Sequence, residues 1–289
     1  MTATPPMPNL SRVQAAHALF RGSAEITKHS RQVALGLEVL AAVIAAYGVL
    51  NGTTLWGGWA SLVMLLLVAG GTALRVWSRG TQAFSERCRR VSVRGFAEGQ
   101  EIGAALLSGL VSDAPVFAVA RSRMLPAGTL EDYYEPTKPA GFRRLQELYA
   151  HSSFYSWRLL GSAGALFLVT GTAIAIIGAV AIYGLVVEPS PSATTAERVL
   201  DVVCSLVFVT LSARAVDAGI AALVGGRESR RVADELIATA ASDRIAELTS
   251  LYDMNRNSGP LVPTLLYRVS RDSLQKEWHS RRLALDELG

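Results

Sequence analysis

The chain is poor in the residues from which most soluble catalytic and metal-binding domains are built. Only two of its 289 residues are cysteines and only four are histidines. Cys88 lies in an arginine-rich segment and Cys204 in an apolar run, and neither has a second Cys or a His at ligand spacing. That excludes a disulfide framework and a zinc site. His17, His29, His151 and His279 are scattered, with no HExxH pair, so no metal set is expected. No P-loop occurs, and the Gly pairs at 57/58, 70/71 and 225/226 lack the strand-turn-helix context of a phosphate cradle. His151 stands beside Ser152 and Ser153 without a GxSxG elbow, and "LEDYYE" reads as a solvated acidic loop. The chain is therefore not expected to be an enzyme, and nothing in it asks for a cofactor. Net charge is only +4, a modest arginine excess rather than the basic stripe of a nucleic-acid-binding domain.

What the sequence does hold is hydrophobic length. Half of the residues, 50%, are apolar and only 18% are charged, a balance that belongs to membrane proteins. Four runs stand out: Val33 to Gly52, Leu55 to Trp77, Leu159 to Val187 and about Val199 to Gly226. A bilayer core of about 30 Å needs about 20 apolar residues in a helix, so each run is long enough to span. Helix is the conformation that satisfies the backbone of such runs in lipid. The first run follows a long polar leader and feeds directly into the second, so it reads as an uncleaved anchor.

Arginines orient the spans. They cluster in the leader (Arg12, Arg21, Arg31, with Lys28), after run two (Arg79, Arg87, Arg89, Arg90, Arg94), before run three (Arg143, Arg144, Arg158) and after run four (Arg227, Arg230, Arg231). The link between runs one and two has no Lys or Arg, and the link between three and four has Arg198 alone. Positive residues mark the cytoplasmic side, which places both termini and the central segment inside. Trp56, Trp59, Trp77, Tyr155, Trp157 and Tyr183 flank the runs, where amphipathic rings favour the headgroup level. Small residues at Gly171, Ala175 and Ala179, and at Ala213, Asp217, Ala221 and Gly225, predict faces on which the third and fourth helices approach closely.

The expected organisation is all-α and polytopic: a cytoplasmic segment over 1–32, a transmembrane hairpin over 33–77, a cytoplasmic central segment over 78–158, a second hairpin over 159–226 and a cytoplasmic helical tail over 227–289. Helical spacing after run two predicts that its helix continues past the bilayer. Pro115, Pro126, Pro136 and Pro139 break the helical pattern, so "MLPAGTLEDYYEPTKPAG", Met124 to Gly141, reads as a loop or turn segment, and helix returns at Phe142. After run four no Gly or Pro occurs before Gly259 and Pro260, which predicts one uninterrupted helix, with a last helix after Pro263.

Charges inside the runs carry the functional expectation. "SLVFVTLSARAVDAGIAALVGG" places Arg214 and Asp217 three residues apart, close enough on a helix to pair. Such residues face protein or water and mark pathways or helix interfaces. Glu38, near the start of run one, is a further candidate partner for Arg214, with snorkelling to the interface as the alternative for both. The pore or gating candidates are therefore Glu38, Arg214 and Asp217. Arg121, Arg123, Lys138, Arg143 and Arg144 are candidates for a phosphate-bearing ligand, although positive-inside bias accounts for the same residues.

The order of two spans, a long cytoplasmic segment, two more spans and a helical tail resembles the four-transmembrane effectors linked to nucleotidyltransferases in bacterial anti-phage defence, the SMODS-associated type. "YYEPTKPAGFRRLQELYAHSSFYSWRLLG", Tyr133 to Gly161, is similar to the segment preceding the third span in related membrane proteins, without the aromatic and cysteine positions that some members carry there. The resemblance implies a homo-oligomeric effector of the bacterial inner membrane. Its cytoplasmic part would sense a nucleotide or oligonucleotide signal, or a nucleotidyltransferase partner, and its spans would conduct ions or disrupt the bilayer. A non-conducting membrane-anchored scaffold or sensor is the other expectation. A small transporter is a third, without an internal repeat to support it.

Overall fold

Each apolar run lies within one long helix. The computed structural model describes residues 11–51, 57–125, 129–187, 195–260 and 262–287. Among the described residues there are nine helices and no strand: α1 (Ser11–Asn51), α2 (Gly57–Glu98), α3 (Ala104–Asp113), α4 (Val116–Met124), α5 (Leu130–Tyr134), α6 (Phe142–Val187), α7 (Thr195–Ala238), α8 (Ser242–Ser258) and α9 (Thr264–Glu287). Four of them, α1, α2, α6 and α7, are long and apolar enough to cross a membrane, so the protein is all-α and polytopic. Trp56, Pro126 and the links at 52–56 and 188–194 lie outside the described residues.

The chain divides into two compact units. The four-helix unit comprises Lys28–Ser78 and Ala163–Ala221. Its helical stretches reach about 33–40 Å at 1.5 Å per residue, the length a bilayer core requires. Leu40, Leu66, Val169, Ile176, Val180 and Val209 are exposed on its outside, while Ala41, Ala45, Met64, Cys204, Val207 and Phe208 fill its interior. That inversion of the soluble pattern is what lipid as solvent demands.

The seam between α6 and α7 differs from the predicted small-residue faces. A Cβ on Gly171 would come within 2.9 Å of Val216, one on Gly178 within 2.8 Å of Phe208, and one on Gly219 within 2.8 Å of Leu168. Ser212 Oγ also donates to the Gly171 carbonyl at 3.0 Å. Ala175, Ala179, Ala213, Asp217 and Ala221 are exposed instead. Steps of seven residues on α6 and of seven between Ser212 and Gly219 on α7 keep one stripe on the seam, whereas steps of four drift off it.

The second unit comprises Met1–Thr27, Arg79–Ser162 and Ala222–Gly289. Its core gathers Leu19, Phe96, Leu148, Phe154, Leu236, Leu248, Tyr252 and Trp278. The helix that follows run two ends where Gly99, at φ +68, supplies the left-handed residue of a cap: Gln100 N donates to the Gly95 carbonyl at 3.0 Å and Gly99 N to Phe96 at 3.3 Å. The carboxylate of Glu147 accepts from Thr137 N and Lys138 N, both at 3.1 Å, and from Thr137 Oγ1 at 2.9 Å, which ties down the proline-rich approach to α6.

Three expectations fail in this unit. The stretch from Met124 to Gly141 is not all loop, because the short α5 forms within it. Tyr155 and Trp157 do not belong to a headgroup belt: Tyr155 is buried in this core, and Trp157 packs against it under Arg230 and Arg281, each 4.9 Å from its ring centroid. The helix after run four does not run to Gly259. It stops at Ala238, where Gln146 Nε2 donates to the Leu236 and Thr239 carbonyls and Ala241 N turns to Thr239 Oγ1. A side chain 90 or more residues away satisfies those carbonyls, so no local breaker is needed.

Candidate functional site

Within the four-helix unit, a cluster of charged side chains interrupts the apolar interior. Glu38 on α1 is 3% exposed. It accepts from Arg75 of α2 side-on, Nε donating to Oε1 at 2.9 Å and Nη2 to Oε2 at a shorter contact. Arg214 of α7 donates Nη1 to Glu38 at 3.0 Å and Nη2 to Thr72 Oγ1 at 2.8 Å. One carboxylate thus holds two guanidiniums from two other helices, and the group carries one cation more than it has anions. Charge-assisted bonds of this kind are strong where water is excluded.

The expected pairing of Arg214 with Asp217 does not form. Arg214 turns inward to Glu38, and Asp217, one turn along the same flank of α7, stays exposed. The cluster is also nearer one end of the unit than its middle. Arg75 is three residues from Ser78, and Arg214 seven from Ala221, the last residues of their segments. Arg75 and Thr72 were missed as partners because each looks unremarkable alone at the end of an apolar run.

A second buried network occupies the other unit, and little in the sequence announces it. Arg89 donates Nε to Glu86 at 2.6 Å and Nη2 to Asp253 at 2.7 Å. Asp253 also accepts from Tyr149 Oη at 2.9 Å, and Arg256 donates to the other Glu86 oxygen at 3.0 and 3.1 Å. Tyr252 Oη and Ser156 Oγ, 2.8 Å apart, extend the network from Arg256 Nη1, and Arg89 lies 5.5 Å from the Tyr252 ring centroid. Burial alone would raise the Glu86 pKa, but Arg256 and Arg89 together bring it down to about 2. Burial raises that of Asp253 despite Arg89. The only local signal is the seven-residue step from Ser85 to Ser92 on α2, both buried, a stripe that lets other helices come close.

His151, beside Ser152 and Ser153 in the sequence, is buried. Its ring is enclosed by Tyr134, Tyr155 and Trp278 at centroid distances of 5.5, 4.5 and 4.9 Å. It lies before the run that begins at Leu159, and burial, with smaller contributions from Arg282 and His279, lowers its pKa to about 3.

The five basic ligand candidates are not assembled into one phosphate site. Arg121 Nε donates to Glu25 at 2.6 Å, Arg143 Nη1 to Gln146 at 3.1 Å, and the buried Arg144 to the Lys138 carbonyl at 3.0 Å and the Phe96 carbonyl at 3.4 Å. Lys138 is half-buried beside Glu147, and Arg123 is exposed. Three of the five are thus structural donors. Among the described residues no group of His, Cys, Asp and Glu is arranged to hold a metal ion. No family model matches the chain, and neither a curated protein nor a solved structure is found to be similar to it.

Proposed function

We propose that the protein is a homo-oligomeric membrane effector whose four-helix unit conducts ions or permeabilises the bilayer, under control of its other, cytoplasmic unit. The observation that carries this reading is the cluster of Glu38, Arg75 and Arg214. Charges within a span cost at least ~2.5 kcal/mol each on insertion scales, so a chain retains them where they do something. Here three helices share one carboxylate, and any helix that moves must exchange these bonds for others. Such an arrangement is suited to two discrete states rather than continuous drift.

Asp217 adds support for an oligomer. Its carboxylate is exposed on the α7 face that also carries Val202, Leu206, Val209, Ala213 and Ile220. A neighbouring copy or a water-filled path along this face removes the cost of presenting that charge to lipid. The distribution of arginines favours the bacterial inner membrane with both termini inside, and the resemblance to SMODS-associated effectors supplies the rest: a nucleotide-type signal or a nucleotidyltransferase partner, in anti-phage defence. Because Arg121, Arg143 and Arg144 are engaged by the protein itself, the signal acts by displacing such contacts or elsewhere on the cytoplasmic unit.

Ion flux from vesicles holding the purified protein, with and without cyclic and linear oligonucleotides, tests the reading. Signal-dependent flux altered by Glu38→Gln or Arg214→Ala is the expected result. Absence of flux from correctly inserted protein under every condition favours the scaffold, a second reading suggested by the way the ion pairs satisfy one another as a static brace.

A further inference from the structure

Helices α3 and α4 meet at 111°. The corner is set by Pro115, which keeps Ala114 extended at ψ 132, and α4 restarts beyond it with Ala118 N donating to the Pro115 carbonyl at 2.7 Å. On the inner side Leu110 and Ala118 are buried. There α4 crosses α1 almost backbone to backbone, since a Cβ on Gly22 would come within 2.5 Å of the Ala118 carbonyl oxygen and 2.8 Å of Ser122 N.

The outer side of the elbow is apolar and uncovered. Val116 is 80% exposed, Phe117 67% and Met124 74%, and Leu106 and Val111 of α3 are exposed beside them. At 100° per residue Val116, Ala120, Met124 and Phe117 occupy an arc about 100° wide, with Arg123 at one edge and Arg121 at the other. No acid lies on α4, and the one acid of α3, Asp113, is bonded by Arg87 Nη1 at 2.7 Å. Arg121 is neutralised by Glu25, which leaves Arg123 as the exposed charge beside the apolar arc. A face of this kind complements an anionic lipid surface: an apolar arc to bury, a cation at its margin and no unpaired carboxylate to repel phosphate.

We infer that the α3–α4 elbow is a membrane-surface anchor, seating Val116, Phe117, Ala120 and Met124 in an anionic lipid leaflet with Arg123 at the phosphates.

The test uses the full chain in phosphatidylcholine vesicles with and without phosphatidylglycerol. Cys88 and Cys204 are buried, so an environment-sensitive fluorophore can be placed selectively at Phe117→Cys and, as the aqueous reference, at Asp243→Cys. Brominated acyl chains should quench the first label and spare the second. Arg123→Gln should lower the ratio of seated to unseated label about fivefold in the anionic vesicles, the equivalent of one interfacial arginine. A label at 117 that aqueous iodide reaches as readily as the one at 243 overturns the inference. So does shielding that vanishes when the protein is diluted in lipid, since a second copy of the chain is then the cover. Neither readout requires flux, so the anchor and the channel fail separately.

Discussion

Arg214 donates Nη1 to Glu38 Oε1 at 3.0 Å, joining residues 176 positions apart. Arg75 holds both oxygens of the same carboxylate, sharing Oε1 with Arg214, so the three positions are not equivalent. Removing an arginine leaves Glu38 one cation; removing Glu38 leaves two cations facing each other. Glu38→Ala is therefore expected to destabilise the four-helix unit by about 3 kcal/mol, the range for breaking a buried pair. Arg214→Ala, at a half-exposed residue, should cost about 1 kcal/mol. Thermal unfolding in lipid nanodiscs compares them; equal losses would mean that the cluster does not hinge on Glu38.

In the other unit, Glu86 stands between Arg89 and Arg256. Glu86→Ala should cost about 3 kcal/mol, because the buried Arg89 then depends on Asp253 alone and the partly exposed Arg256 on the hydroxyls of Ser156 and Tyr252. Tyr149→Phe removes one bond to a carboxylate and should cost about 1.5 kcal/mol. Urea unfolding followed by tryptophan emission ranks the two variants.

Acid should weaken this unit in two steps. His151 is held neutral, its pKa lowered from 6.5 to about 3 chiefly by burial, so the unfolded chain takes up that proton first. The stability is present above 6.5 and falls as pH drops towards 3. His17, lowered to about 4 by burial and then by Arg21, acts in the same window. Glu86 adds a loss as pH falls from 4.5 towards 2, partly offset by Asp253, whose raised pKa acts in the opposite sense. His151→Phe should flatten the decline between about pH 6.5 and pH 5 in a pH series of unfolding midpoints, since one of the two histidine contributions disappears.

Glycines on the α6–α7 seam should be less replaceable than glycines on the surface. Gly219→Ala brings a Cβ within 2.8 Å of Leu168 Cγ and 3.1 Å of the Gly164 carbonyl oxygen, and is expected to cost about 1–3 kcal/mol. Gly36→Ala meets nothing within 4 Å on an exposed helical face and should stabilise by about 0.5–1 kcal/mol. Melting of the detergent-solubilised variants checks the sign of each.

Glu38 and Arg214 were legible as candidates because a charge in an apolar run is rare for a known energetic reason, and that reason acts on each residue separately. Their partner Arg75 was not, since an arginine at the end of a run is ordinary. Asp217 illustrates the limit of local spacing. Three residues along a helix permit a pair with Arg214, but a competing carboxylate on α1 took the guanidinium and left Asp217 outside. Gln146 likewise ended α7 at Ala238 from another helix, against every local signal for continuation.

The amino-acid order by itself determined that this is an all-α chain with four bilayer-length helices, because span length and apolarity are sums over consecutive residues. Which face of each helix meets which neighbour, which carboxylate takes which guanidinium, and which apolar face of the α3–α4 elbow stays uncovered were decided only in the tertiary structure. Those outcomes depend on competition among groups distant in sequence, and the energy of each contact exists only once the helices are packed.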